Sequence, residues 1–405
     1  MKPANLKKTV ILLLILSLAI TLSGCWSARE FDTLALVKGV GIDLAEKEDR
    51  IKFTIQMISP NPQQGGGQPG GGGGQAGQSS QFWTTSTTGY SIFEANRNLV
   101  KTIGRKPFYP HTEVYIIGEE LARQGIKPYI DFFNRDPEIR RRAYIIIAKG
   151  EAEDILKAPH GVETVPILAV KQIIDGQSIS GSIYSTNLRE FTVSALSNTT
   201  DPVTAAVELR PGGPEEEGEE NKDNLIYING AAMFKGDKLV DWLTRKETRG
   251  LNWVQKPSEI IGPVLIKAPD EDKRIGIEVL KATSSVEPEL EDGEFKMKVE
   301  ITVEGNISEA QIRKYDITKV GNITHLDQRF AQVIKNEIIN GLQKSQQYQA
   351  DIFGFGETIR NKYPQEFKEK QDNWDQIYSK LPVTIEVKSN IRRPGMVKEG
   401  IGTYK

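Results

Sequence analysis

Lys2, Lys7 and Lys8 precede an apolar run from Val10 to Leu22, and Leu22-Ser23-Gly24-Cys25 closes it. A basic start, a short greasy centre and small residues before a break are the parts of an export signal. The run is about 13 residues, shorter than the roughly 20 a membrane-spanning helix needs. The break places leucine three positions ahead of the cysteine and small residues in the two between. A lipoprotein signal peptidase reads that pattern. The cysteine is needed because the modification is a thioether to diacylglycerol, and no hydroxyl side chain matches a thiol's nucleophilicity. Residues 1–24 are thus expected to be removed as a lipoprotein signal peptide, leaving Cys25 as the lipid-bearing N-terminus. The alternative is a plain export signal whose cysteine falls there by chance. Position, flanks and the fact that Cys25 is the only cysteine agree on the lipid site.

With Cys25 lipidated no thiol remains, which removes disulfides, cysteine-based zinc sites and a cysteine nucleophile. About 380 residues follow the signal, enough for two or three domains. A formal net charge of −2 lacks the basic bias of a nucleic-acid binder. No second hydrophobic run approaches spanning length, so the remainder is expected to be soluble.

Leu34–Ile42 and the alternating Ile51–Met57 read as a hairpin around Glu46–Arg50. The first strand starts within about ten residues of Cys25, so the first domain is expected to lie close to the bilayer. Residues 60–80 are Gly/Gln-rich and read as a disordered loop, since nothing there can bury apolar surface. Ser91 and Glu94 make a capping box for a helix that ends at Gly104. Strands at Thr112–Ile117 and Tyr144–Ala148 alternate with helices after them, the pattern of an α/β or α+β domain. Asn187–Ser194 caps or leads a short helix, and the acidic run Pro211–Glu220 reads as a solvated loop. Asn229-Gly230 between two apolar runs is a hairpin signal, and Lys235–Lys238 is a second turn. Farther on, two alternating strands flank Glu291-Asp-Gly293. A long helix with Phe330, Val333, Ile334, Ile338 and Leu342 in step follows, then a helix at Asp351–Tyr363 and a late strand at Val383–Val387.

The expected architecture is α+β with mixed α/β character: a three-domain soluble ectodomain behind a lipoprotein signal peptide. Its parts are an N-terminal α/β domain (25–185), a small middle domain with a β-meander (186–265) and a C-terminal α+β domain of antiparallel sheet and helices (270–398).

Chemistry-bearing candidates are few. His111 and Glu113 would share one face of a strand, but a metal site needs three or four ligands and no third stands at a fixed spacing. His160 lies in a Pro/Gly turn and His325 opens the long helix. The Gly-x-Ser-x-Gly marker of a nucleophile elbow is absent. Arg140-Arg-Arg142, with Arg135 nearby, is the one compact basic cluster. It reads as a solvated face or as a contact for anionic headgroups or an acidic loop. Phe353, Phe355, Trp242, Trp253 and Trp374 read as core or groove residues. No catalytic, cofactor-binding or metal residue is assigned; the only site residue is Cys25.

Several strings together carry a resemblance. They are Gly24-Cys25-Trp26, Gly39-Val-Gly-Ile-Asp43, His111-Thr-Glu113 leading into Gly118-Glu-Glu-Leu-Ala122, and Asp131-Phe-Phe-Asn-Arg-Asp136. Arg249-Gly-Leu-Asn-Trp253, Asp351-Ile-Phe-Gly-Phe-Gly356 and Trp374 complete the set. In this order and spacing the chain resembles the Ger(x)C family, the lipoprotein C subunit of spore germinant receptors. It departs at Ser27, where many relatives carry aspartate, and in the Gly/Gln tract. The resemblance implies a C subunit anchored on the outer face of the spore inner membrane by a diacylglycerol lipid on Cys25. It also implies assembly with A-type and B-type membrane subunits and a part in the response to nutrient germinants. It implies no catalytic residue. Two other functions stay open: a lipid-anchored solute-binding protein, against which the lack of repeated βαβ lobes counts, and a cell-wall or cortex hydrolase.

Overall fold

The computed structural model describes residues 12–13, 33–46, 49–58, 82–158, 165–211, 224–268, 273–310 and 320–393. Cys25, the Gly/Gln tract, His160 and most of the acidic run lie outside them. Among the described residues no helix is long and apolar enough to cross a membrane.

The first sheet is built on β1 (Leu34–Leu44). Its antiparallel partner is β2 (Ile51–Ile58), the expected hairpin, and β3 (Phe82–Gly89) pairs outside β2. On the other side β1 runs parallel to β5 (Val114–Ile117) and, near its start, to the short β4 (Lys106–Phe108). Next come β6 (Tyr144–Ala148) and β7 (Val203–Pro211), both parallel, then β8 (Asn224–Lys235) and β9 (Lys238–Leu243), both antiparallel. The strand order is β3-β2-β1-β5-β6-β7-β8-β9, with β4 against β1. Residues 186–265, set apart in the sequence reading as a middle domain, therefore lay three strands onto the sheet that β1 begins.

Both faces of this sheet are covered, which is why its central strands are apolar at every position. Tyr115, Ile117, Ile145 and Ile147 pack under α1 (Ile92–Ile103), α2 (Glu119–Gln124), α3 (Lys127–Arg135) and α6 (Leu188–Ala195). Val114, Ile116, Ile146 and Ala148 pack under α4 (Ala152–Lys157) and α5 (Pro166–Asp175). The caps follow the sequence. Ser91 accepts from Glu94 N–H, Gly104 closes α1 at φ 65°, and Asn187 and Glu190 form a full capping box. Glu94 departs in one detail, accepting from Tyr90 N–H instead of Ser91.

Asn229-Gly230 is not a hairpin. β8 runs straight through it, and the β7 register slips between Ala205 and Val207 to leave the pair as a bulge. Positive φ suits a hairpin turn and a bulge alike. The choice is tertiary: Gly230 has φ 76°, and a Cβ there would stand 2.3 Å from the Leu243 carbonyl oxygen. The actual turn is Gly236-Asp237, between the paired Lys235 and Lys238. We expect Gly230→Ala to lower stability by at least about 2 kcal/mol, read as a shift in urea midpoint.

The second sheet has the order β10-β11-β12-β13. β10 is Pro263–Lys267, and β11 (Arg274–Glu291) and β12 (Glu294–Ala310) form a long ladder. They are joined at Asp292-Gly293, where φ is 51° and 80°, as a two-residue primed turn requires. The expected all-antiparallel sheet is corrected by β13 (Val383–Arg393), which lies parallel to β12. A parallel return needs a crossover. It is supplied by α8 (Val320–Gln347), α9 (Phe355–Lys362), α10 (Pro364–Lys370) and α11 (Trp374–Tyr378). Leu326, Phe330, Ile334, Ile338 and Leu342 make one buried ridge along α8. α7 (Arg245–Gln255) lies between the sheets. Leu251, Trp253 and Val254 share one core with Val203, Met233 and Leu243 of the first sheet and with β10, β11 and β12.

Candidate functional site

Three of the strings that carried the resemblance turn out to be joints. In Gly39-Val-Gly-Ile-Asp43 the glycines let α4 and α5 approach the sheet, since a Cβ on Gly39 would stand 2.6 Å from Ile167 and one on Gly41 2.9 Å from Leu156. Asp43 accepts from Ala152 N–H (2.6 Å) and Glu153 N–H (3.0 Å), tying β1 to the first turn of α4. Burial raises its carboxyl to about 6 against the pull of those two N–H bonds.

In Arg249-Gly-Leu-Asn-Trp253 a Cβ on Gly250 would stand 2.0 Å from the Glu337 carbonyl oxygen, so α7 and α8 touch backbone to backbone. Arg249 grips the Glu337 carboxylate with two nitrogens, Nε at 2.8 Å, and Trp253 Nε1 donates to it at 3.1 Å. Asn252 Nδ2 donates to the carbonyls of Gly181 and Ile183.

Asp351-Ile-Phe-Gly-Phe-Gly356 is the third joint. The expected helix over Asp351–Tyr363 starts only at Phe355, because Asp351 turns back to accept from Phe355 N–H (3.1 Å) and Gly356 N–H (2.7 Å). Asp351 N–H donates to Asp201 Oδ2 at 2.8 Å, and Asp201 N–H donates to the Asp351 carbonyl. Lys235 at the β8–β9 turn bridges Asp201 (3.0 Å) and Asp375 of α11 (2.6 Å). Burial, with the Asp201 charge as a lesser cause, raises the Asp351 carboxyl to about 7 despite the N–H bonds it accepts. These carboxylates hold backbone N–H groups and the Lys235 ammonium.

The remaining candidates scatter. His111 sits exposed in a turn beside Phe108, ring centres 5.7 Å apart. Glu113 instead meets Arg140 (3.0 Å) and Lys38 (3.7 Å), and the strand begins only at Val114. His325 is exposed on α8. Among the described residues no three His, Asp or Glu side chains converge as metal ligands. The basic cluster is partly spent: Arg135 pairs with Asp131 at 2.7 Å and Arg141 donates to the Asn134 carbonyl. Trp253, Trp374, Phe353 and Phe355 are core, and Trp242 is half-buried under Lys149.

A surface the sequence did not single out lies beside the start of β1. β4 pairs Lys106 with Leu34 and Pro107 with Ala35. The same two β4 residues line a groove of about 550 Å³ between α1 and α3. Phe93 and Val100 are exposed on its α1 wall, and Arg97 lies 5.0 Å over the Phe93 ring. Leu34 follows Cys25 by nine residues, so a fully extended tether spans at most about 30 Å. The sequence signal was available, because Phe93 and Val100 fall outside the buried Ile92-Ala95-Leu99 stripe of α1.

The fold and these joints define a class: a mixed α+β protein whose recurrent strings build its frame. Residues 27–209 match the family described as spore germination protein N-terminal domain, and residues 229–395 match spore germination B3/GerAC like, C-terminal. The chain belongs to the Ger(x)C family of spore germination proteins. It is 26% identical to spore germination protein KC of Bacillus subtilis (strain 168), over 96% of this chain and 97% of the relative. It is 29% identical to the putative spore germination protein YfkR of the same organism, over 98% and 100%. Its fold is similar to the crystal structure of the GerBC protein, with a TM-score of 0.54 at 21% identity, over 87% of this chain and 97% of that one.

Proposed function

We propose that this chain is the lipid-anchored, non-enzymatic C subunit of a nutrient germinant receptor. It is held on the outer face of the spore inner membrane by diacylglycerol on Cys25, beside A-type and B-type membrane subunits. The observation that carries the reading is the family match across both halves of the chain, with spore germination proteins as relatives along nearly their whole length. Two further facts support it. Leu34, nine residues after Cys25, pairs with Lys106 at the α1–β4–α3 groove, where Phe93 and Val100 are exposed beside Arg97, so an anchored chain would carry this face near the bilayer; Lys106 itself is paired with Glu138 at 2.7 Å, and Asp131 and Asp136 also line the groove. Asp43, Arg249 and Asp351 of the family strings are engaged in holding helices and sheets together.

The test is Cys25→Ala in the spore-forming host, with membrane fractionation and nutrient germination both read. The variant is expected to leave the membrane fraction and to blunt the nutrient response. Retention in the membrane with normal germination on every nutrient would remove the anchor from the mechanism.

A further inference from the structure

A second groove, of about 780 Å³, lies between α7, α8 and β10, on the second sheet and away from the start of β1. Its charge is one-sided. Arg245 and Lys246 open α7, Lys267 and Arg274 face each other across β10 and β11, and Arg329 stands on α8. The one carboxylate among the described lining residues is Glu337, already held by Arg249 and Trp253. Arg245, Lys246 and Arg274 have no carboxylate partner among the described residues. Cations left this way beside one another repel, and an anionic occupant relieves that repulsion.

The shape narrows the occupant. Along α8 the groove runs from Arg329 to Asn340, about 16 Å of helix. That length matches about five residues of extended chain. The positive groups stand at both ends of it, Lys267 and Arg274 with Arg329 at one and Arg245 and Lys246 toward Asn340 at the other, a span that a single phosphate does not cover. The floor holds Leu265, 55% exposed, and Val333, so an apolar side chain has a place in the middle. Gln332, Asn336 and Asn340 add amides on the α8 side. β10 is the outermost strand of its sheet. Arg249 donates to the Pro263 carbonyl (3.0 Å) and Arg329 to that of Lys267 (3.5 Å). Those two carbonyls therefore point outward from the sheet edge, and by the two-residue period the N–H and C=O of Leu265 point the same way.

We propose that this groove docks an extended acidic segment of a partner protein, about five residues long with an apolar residue near its centre, laid along β10. The anchoring role of Cys25 and the family assignment do not depend on it.

The test uses the 405-residue chain in detergent micelles and a fluorescein-labelled peptide, Glu-Asp-Glu-Asp-Leu-Asp-Glu-Asp-Glu, followed by anisotropy. Asp270, Glu271 and Asp272 join β10 to β11 in sequence, so a variant with all three neutralised is titrated in parallel. Saturable binding is expected, weakened by added salt and weakened at least about tenfold by Lys246→Glu with Arg274→Glu. Leu265→Ser, or serine at the centre of the peptide, is expected to weaken it about threefold or more. No binding to either form of the chain overturns the proposal. So does binding indifferent to the charge reversal. Pyrophosphate displacing the peptide at matched charge would make the groove a small-anion site. Charge-reversal-sensitive binding to phosphatidylglycerol vesicles without peptide binding would make it a lipid site. Either result replaces the proposal.

Discussion

Glu337→Ala is expected to destabilise the folded chain by about 3–5 kcal/mol, enough to leave many variants of such a protein unfolded. Glu337 is 3% exposed on α8. It is the shared acceptor for Arg249 and Trp253, which sit four residues apart on α7. Removing it leaves a guanidinium that is only 11% exposed without its counter-charge, and an indole N–H without an acceptor. A buried charge stripped of its partner costs more than the pair was worth. The check is a comparison of urea midpoints for Glu337→Ala, Arg249→Leu and the double variant Arg249→Leu with Glu337→Leu. The double variant is expected within about 2 kcal/mol of the parent, because an apolar pair of similar volume carries no buried charge. Equal loss in the single and double variants would mean that the ion pair is not what holds α7 to α8. The close approach at Gly250 would then carry that joint alone.

The second large effect is on pH dependence. The Asp351 carboxyl has its pKa raised to about 7 in the folded chain from 3.8 in an open one. Between those values the folded state holds a proton that the unfolded state has lost. The stability it contributes is thus complete below about pH 4, falls as pH rises, and is gone above about pH 7. A shift of about three units corresponds to as much as about 4 kcal/mol. Asp43, raised to about 6, acts in the same direction and is smaller. Asp351→Asn removes the first component and leaves the second. The variant is expected to be less stable than the parent at pH 5, by about 1–3 kcal/mol, because one of the two N–H groups at Phe355 and Gly356 loses its acceptor. That deficit is expected to shrink or reverse at pH 8. Urea unfolding at the two pH values reads both. An unchanged slope in Asp351→Asn would move the titration to other groups.

Much of the frame was legible because it is local. The strand at Ile51–Met57, the helix start at Asn187, the Gly104 stop and the Asp292-Gly293 turn each depend on a few neighbouring residues, and the structure keeps all four; the half-buried alternation of Ile51–Met57 it does not keep, since Thr54 and Gln56 are buried under the second layer as well. The i, i+4 ridge of α8 also came through, since its face is set by helical period. The failures share one cause. Asn229-Gly230 permits a hairpin or a bulge, and only the approach of Leu243 decides. Asp351 reads as part of a helix until Asp201, 150 residues away, accepts its N–H. Glu337 carries no signal in the sequence, and only the packing of α7 against α8 gives it a role. Nothing local marks the parallel partner of β13.

The candidate site divides the same way. By itself the sequence determined the family and the absence of a thiol anywhere but Cys25, and it raised the expectation of a lipid there, because each depends on residue identity and short spacing alone. Tertiary structure decided what the family's strings do. Asp43 and Asp351 of those strings, and Glu337 as the acceptor for Arg249 and Trp253, are carboxylates withdrawn from water to hold helix starts and helix crossings, a role set by distant backbone that sequence spacing does not encode. It also decided where charge gathers. Arg245, Lys246, Lys267, Arg274 and Arg329 are spread over 85 residues and meet only because α7, β10 and α8 share one core.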